Sequence, residues 1–301
     1  MSDHPKIVCF GEILWDVFPT QKKIGGAPLN VALRFHRQGH KVAMVSRLGD
    51  DTLGKEVQNY LQDLKFPLEG IQVDEDLSTG EVLVTLNPEG AASYSISQPV
   101  AWDAIALTSE AKSMVTDSQM FLFGSLASRE LVSRNTLLEL LKIAPFSVFD
   151  VNLRPPHYTM ELITQLMASS NFTKMNDEEL VEICKELGCT LTKLDAQANW
   201  LMDETGLSSL CVTKGAHGAL LYHEGKQYAH EGFSVKVEDT VGAGDSFLAT
   251  LLGSLLFDSM LPELALERAC AVGALVASKE GANCDVVENE IQQLISNSKK
   301  T

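Results

Sequence analysis

Short apolar runs that alternate with helical periodicity are the feature that most narrows the folds open to this 301-residue chain. IVCFG reads as a buried strand, ALRFHRQG as a helix closed by Gly39, and HKVAMVS as a second buried strand. Further along, MFLFGSLA, FSVFDVNL and LCVTKG are apolar runs separated by the helical patterns LVSRNTLLELLK, ELITQLMAS and DEELVEICKELG. Such alternation predicts an α/β protein whose mostly parallel sheet carries helices on both faces. From about residue 191 the chain continues with a helix, a hairpin through ALLYHEGKQYAHEG, a strand through FSVKVEDT and two helical segments. Length alone suggests about two domains, but α/β units of this size often fold around one sheet and there is no repeat, low-complexity tract or long linker, so a single domain over residues 1–301 is expected.

Residues 79–97 break the pattern: they alternate with period two and turn at NPEG, which predicts an antiparallel hairpin between α/β units. EILWDVFPTQKK has the same extended character. Together, from about 12–22 and 71–100, these stretches are expected to form a small sheet over one end of the main one. An extension of the main sheet is the alternative.

A formal charge of -16 would repel nucleic acid and anionic lipid over most of the surface. It also disfavours a polyphosphate nucleotide unless local donors and a metal offset it. The six cysteines, at 9, 184, 189, 211, 270 and 284, form no CxxC pair and have no histidine at zinc spacing, so reduced thiols are expected. MSDHPKIVCF lacks a basic segment followed by an apolar one, and FLATLLGSLLF is too short to span a bilayer. The cytoplasm is the expected compartment.

In KVEDTVGAGDSFLATLL, glycines at 242 and 244 lead into a helix that is apolar almost all round. The first amides of a helix have no intrahelical acceptors, and glycine lets another group approach them, so this turn is suited to an anion such as phosphate. A carboxylate at Asp245 would repel that phosphate, unless its task is to take the proton from a hydroxyl attacking phosphorus. A plain N-cap beside a tight turn is the competing explanation. No GxxxxGK[ST] loop is present, and GAGDSF lacks the third glycine of a dinucleotide fingerprint. A second pair, Gly25 and Gly26 in GGAPLNVALRFHRQG, precedes another helix with Pro28 in its first turn. Asn30 and Asp16 offer a donor and acceptors suited to the hydroxyls of a neutral polyol; a solvated helix start is the alternative.

GGAPLNVA and DTVGAGDSF resemble the two signatures of the ribokinase-like (phosphofructokinase B type) sugar kinases, and the order of segments matches over nearly the whole chain. GEILWDVFP, GGAPLNVA and DVNLRPPHY look most like bacterial fructokinases. The resemblance implies a three-layer α/β/α sandwich with a mostly parallel central sheet and a small β-sheet lid, the sugar beneath the lid and ATP at the opposite side of the GAGD turn. It implies Asp245 as catalytic base and Gly242, Ala243 and Gly244 as the anion hole. Asp16, Gly25, Gly26 and Asn30 match sugar-binding positions. Asn176 and Glu179 in KMNDEE match an NxxE element that helps hold hydrated Mg2+ near the phosphates; a capping asparagine with a surface glutamate is the alternative. Thr213, Gly215 and Gly218 in VTKGAHG match the nucleotide-binding turn, against an ordinary hairpin turn, and His217 is expected at the surface. Asp239 and the carbonyl of Val241 match positions for a monovalent cation such as K+. Cys270 departs from the asparagine often found beside the adenine.

Arg154, following a buried strand, can offset phosphate charge or bond a sugar hydroxyl, or stand at the surface. Gly70 to Ala111 contains no lysine or arginine but carries Asp74, Glu75, Asp76, Glu81 and Glu89, which suits a neutral substrate over an acidic one; Lys22 and Lys23 pull the other way. Fructose with Mg-ATP is the expected substrate pair. Ribose, 2-keto-3-deoxygluconate and a nucleoside remain as alternatives, with Trp15 available for stacking, as does a non-catalytic sugar or nucleotide sensor. A homodimer through the small sheet is expected.

Overall fold

The computed structural model describes residues 5–86 and 92–298. Its internal contacts divide the chain into two compact units, Met1–Pro145 and Phe146–Thr301. The NPEG turn and Glu89 lie outside the described residues.

The first unit contains β1 (Ile7–Phe10), β2 (Leu14–Val17), β3 (Lys22–Gly25), α1 (Ala27–Arg37), β4 (Val42–Gly49), α2 (Thr52–Asp63), β5 (Ile71–Asp74), β6 (Gly80–Leu86), β7 (Ala92–Ile96), α3 (Ser109–Asp117), β8 (Met120–Gly124) and α4 (Leu131–Leu141). Its larger sheet has the order β8-β1-β4-β5, and every pairing is parallel. β1 and β8 are buried at each position, as strands covered on both faces must be. The smaller sheet has the order β3-β2-β6-β7, with β2 beside β6 in parallel and the outer pairs antiparallel. Ile71–Asp74 therefore departs from the expected small sheet: it extends the larger one, because the Asp74 carboxylate pairs with Arg47 of β4 at 2.8 Å.

The two sheets are tied at the start of β6. Asp51 caps α2 by accepting from Gly54 N at 2.7 Å, and it also accepts from Thr79 N at 2.7 Å and Thr79 Oγ1 at 2.8 Å. These bonds hold its carboxyl below the ordinary range despite burial, which acts the other way. Beneath, the fully buried Trp102 stacks under Arg129, whose guanidinium lies 4.0 Å from the ring centroid and pairs with Asp103 at 2.7 Å. Burying one such aromatic side chain contributes about 1.5–3 kcal/mol.

The second unit contains β9 (Ser147–Asp150), α5 (Met160–Ala168), β10 (Phe172–Asn176), α6 (Asp177–Glu186), α7 (Leu194–Thr205), β11 (Leu210–Thr213), β12 (Ala219–His223), β13 (Lys226–His230), α8 (Ala243–Leu252), α9 (Pro262–Ala277) and α10 (Glu288–Ser298). Its strands run in the order β13-β12-β11-β10-β9; β9, β10 and β11 are parallel, and β12 and β13 form the expected hairpin, turning at Glu224 (φ 51) and Gly225 (φ 70). The expected strand through FSVKVEDT is absent. Residues 233–240 have no strand partner, only Phe233 is buried, and the amides of Glu238 and Asp239 bond the Ala277 carbonyl at the end of α9. Parallel strands joined through helices place each unit in the expected α/β class.

Candidate active site

In the first unit, the segment after β1 meets the start of α1. Asp16 lies on β2 and Gly25 ends β3, and a Cβ on Gly25 would sit 2.5 Å from Asp16 Oδ2. The missing side chain at 25 is thus what leaves room for the carboxylate. Gly26, at φ 110, caps α1 and packs on the Glu12 carbonyl so closely that a Cβ would collide with it. Both constraints, one steric and one conformational, demand glycine. Asn30 stands in the first turn of α1, 6% exposed. Asp16, Gly25, Gly26 and Asn30 all lie on or beside the β2-β3 hairpin and the helix start that follows it.

The neighbouring lysines are engaged. Lys22 pairs with Glu56 of α2 and lies 4.5 Å from the centroid of Trp15, while Lys23 lies over the Phe18 ring. Trp15 is 7% exposed and its Nε1 donates to the Leu53 carbonyl at 3.2 Å, so its ring is packed into the fold. Asp74, counted above among the acidic residues facing a substrate, is buried against Arg47 and accepts from the amides of Asp76 and Leu77.

In the second unit, β9, β10 and β11 end at Asp150, Asn176 and Thr213, so three polar residues share the carboxyl edge where α/β sheets bind ligands. Asn176 caps α6: its Oδ1 accepts from Glu179 N at 2.8 Å, and Glu179 Oε2 accepts from Asn176 N at 2.8 Å. Glu179 Oε1 accepts from Leu153 N at 2.8 Å. This glutamate is buried, unlike a surface residue, and burial pushes its carboxyl above the ordinary range while Lys174 and the two amides act against that. Thr213 pairs with Asn176 in the strand register. Gly215 takes φ 53 in a short 3-10 turn, and Gly218, at φ 78, packs on the His230 carbonyl with no space for a Cβ. His217 is exposed, as expected. Cys270 is buried, which raises its thiol pKa to about 12, with Lys214 acting in the opposite sense. Arg154 is exposed and donates to the Leu153 carbonyl at 2.9 Å.

The GAGD turn begins α8. Gly242 takes φ 74 and abuts Ala282, leaving no room for a side chain. The first intrahelical bond runs from Ser246 N to Gly242 O at 2.9 Å, so the amides of residues 243–245 precede it; that of Ala243 reaches the Thr240 carbonyl at 3.3 Å. Asp245 is half-buried in this first turn. Upstream, Asp239 accepts from Val241 N at 3.0 Å and from Gly281 N at 3.1 Å, closing the loop that leads into the turn.

One functional group escaped the sequence reading. Lys174, in the middle of β10 and 7% exposed, extends Nζ to 3.0 Å from Asp150 Oδ1 and to 3.4 Å from the place a Gly244 Cβ would occupy. Burial opposes its charge, yet the Asp150, Glu179 and Asp245 carboxylates prevail and raise its pKa above the ordinary lysine value. A cation inside the otherwise buried strand FTKMN was the available signal.

Among the described residues, no three His, Cys, Asp or Glu side chains gather into a metal cage, and no helix is long and apolar enough to cross a membrane. Asp150 Oδ2 is buried without a hydrogen-bond partner, and a carboxylate such as Glu179 keeps acceptor sites beyond two amides. That donor set suits a hard cation that retains water and takes most of its ligands from phosphate.

The second unit thus carries a glycine turn leading into a helix N-terminus, an aspartate in the first turn of that helix and polar residues at the carboxyl ends of three strands. Residues 4–289 match the model of the pfkB family carbohydrate kinases, and the chain belongs to that family. It is therefore a phosphotransferase acting on a carbohydrate hydroxyl. It is 29% identical to fructokinase-2 of Solanum lycopersicum over 93% of each chain. Its fold matches the crystal structure of a fructokinase with bound ATP from Xylella fastidiosa, with a TM-score of 0.86 at 24% identity over 97% of this chain and 98% of that one. It also matches a fructokinase from Vibrio cholerae O395 in fructose, ADP and calcium ion bound form, with a TM-score of 0.81 at 22% identity over 98% of this chain and 100% of that one.

Proposed function

We propose that this kinase transfers the γ-phosphoryl group of Mg-ATP to the primary hydroxyl of fructose, giving fructose 6-phosphate. The observation that carries the reading is Asp245 in the first turn of α8, directly after the glycine turn at 242–244. The amides of that turn and the helix dipole favour the travelling phosphoryl group, while Asp245 accepts the proton of the attacking hydroxyl. A single catalytic domain over residues 1–301 is part of this reading.

Asp16 and Asn30 bond sugar hydroxyls, and Gly25 and Gly26 give the ring close access to the backbone. Arg154 remains a candidate for substrate charge or hydroxyls. Asn176, Thr213, Gly215 and Gly218 line the nucleotide side. Mg2+ would be held through water by Glu179 and by the phosphates, and when bound it supplies the positive charge that a chain of net charge -16 lacks. Asp239 and the Val241 carbonyl are candidates for K+, tested by comparing rates in potassium and sodium salts. The four-stranded sheet acts as a lid that excludes water. Its edge strands β3 and β7 are candidates for pairing two copies, tested by light scattering. The six cysteines are free thiols, in keeping with a cytoplasmic enzyme.

Fructose is favoured over an anionic sugar because Lys22 and Lys23 are engaged by Glu56, Trp15 and Phe18. A nucleoside is disfavoured because the Trp15 ring is packed away. Several relatives are named fructokinases, which supports the same choice. The test is ADP release with Mg-ATP across a panel of fructose, ribose, 2-keto-3-deoxygluconate and nucleosides. Fructose is expected to give the highest kcat/KM; a higher value for an acidic sugar or a nucleoside refutes the assignment. ATP turnover that is the same with and without every sugar would indicate a sensor instead.

A further inference from the structure

Lys174 is an expensive residue for the fold to keep where it is. A charged side chain in the middle of a buried strand loses its hydration, and an ion pair in such a place is often no more stabilising than apolar side chains of equal volume. Methionine at 174 with asparagine at 150 would fill the same space, so stability alone does not call for the charges. Their placement supplies a reason. Lys174 and Asp150 are register partners on β10 and β9, joined at 3.0 Å, which anchors the ammonium from below. Above, Nζ packs against the face of Gly244, where a Cβ would lie 3.4 Å away, next in sequence to Asp245.

Burial opposes the charge of Lys174, and the negative charges of Asp150 on β9, Glu179 on α6 and Asp245 on α8 outweigh it, raising the ammonium's pKa above the ordinary lysine value. Without it, those carboxylates lose the positive charge they share.

We propose that Lys174, braced by Asp150, is the positioning residue that holds the Gly244–Asp245 turn in place and keeps the Asp245 carboxylate beside the anion hole. The inference rests on the kinase reading above, in which Asp245 is the base. Lys174 acts on the reaction through Asp245 and carries no proton in the transfer.

Lys174→Met alone would leave Asp150 buried and uncompensated, so the test uses Lys174→Met together with Asp150→Asn. That double variant is expected to keep its circular dichroism and a fructose KM within about threefold, while kcat falls at least about tenfold, the size of a direct coupling between neighbouring groups. In an Asp245→Asn background the same two substitutions are expected to cost less than about twofold more, because the group they act through is already disabled. A purely structural role would lower kcat equally in both backgrounds. Unchanged kcat in the double variant, or a full further loss in the Asp245→Asn background, overturns the proposal. Should the double variant not fold, Lys174→Arg is compared with Lys174→Gln: more kcat retained by arginine supports a positioning cation, and equal loss overturns it. Wild-type enzyme with fructose is measured alongside. If it is active and the variants are indifferent, only this inference fails; if no sugar stimulates ADP release, the kinase reading and this inference fall together.

Discussion

Two glycine turns lead into helices in this molecule, and they do different physical work. At Gly25 and Gly26 the missing side chains make room for a carboxylate, Asp16, and for a backbone carbonyl, that of Glu12. That turn controls shape. At Gly242 the missing side chain makes room for Ala282, Gly244 lies against the Lys174 ammonium, and the turn ends in a carboxylate, Asp245, whose charge acts on that lysine. That turn controls electrostatics. The contrast teaches that a glycine pair before a helix does not define a function by itself; the group that fills the space does. Damage to the first turn should appear in sugar binding, and damage to the second in turnover.

The largest expected effect is at the second turn. Asp245→Asn should lower kcat at least about a hundredfold with little change in fructose affinity by calorimetry, as removal of a general base does. Near-normal turnover would erase the distinction between the turns. Gly242→Ala should follow, because a Cβ at φ 74 is strained and also meets Ala282. It should cost about 1–3 kcal/mol in denaturant unfolding and lower kcat as well. Gly25→Ala should sharpen the other half of the comparison. Its Cβ displaces the Asp16 carboxylate, so fructose KM should rise about tenfold with kcat and the ATP KM nearly unchanged. A fall in kcat instead would show that the first turn also takes part in chemistry.

The smallest effect belongs to an ion pair between α9 and α10. Glu288 pairs with Arg268, which together with Gln292 draws its carboxyl pKa down to about 2 against the opposing influence of burial. The folded-state value lies below the ordinary one, so the stabilisation is present above about pH 4.5 and is lost as pH falls towards 2. Glu288 is exposed while Arg268 is half-buried, so Glu288→Gln should cost less than about 1 kcal/mol at pH 7 and nothing at acid pH, with turnover untouched. Loss of activity in that variant would mean that α9 and α10 also affect the site.

What could be read from the sequence was local. The glycine turns, the α/β alternation, the β12-β13 hairpin and the capping asparagine at 176 all depend on residues a few positions apart. The failures were of longer range. Ile71–Asp74 was assigned to the small sheet because nothing local shows that Asp74 pairs with Arg47. FSVKVEDT alternates like a strand but finds no partner strand. FTKMN passed unnoticed as β10, since its lysine breaks the apolar run, and that same lysine is neutralised by Asp150, 24 residues earlier and on the next strand. An ion pair between strands leaves no periodic trace in the chain.

The account stands on Asp245 acting as base in transfer of a phosphoryl group to sugar. The most direct measurement is phosphorus NMR of fructose and Mg-ATP incubated with wild type and with Asp245→Asn. A sugar phosphomonoester resonance growing in step with ADP in the wild type, and nearly absent in the variant, is the predicted result. Equal growth in both samples, or ADP with inorganic phosphate alone from the wild type, would contradict it.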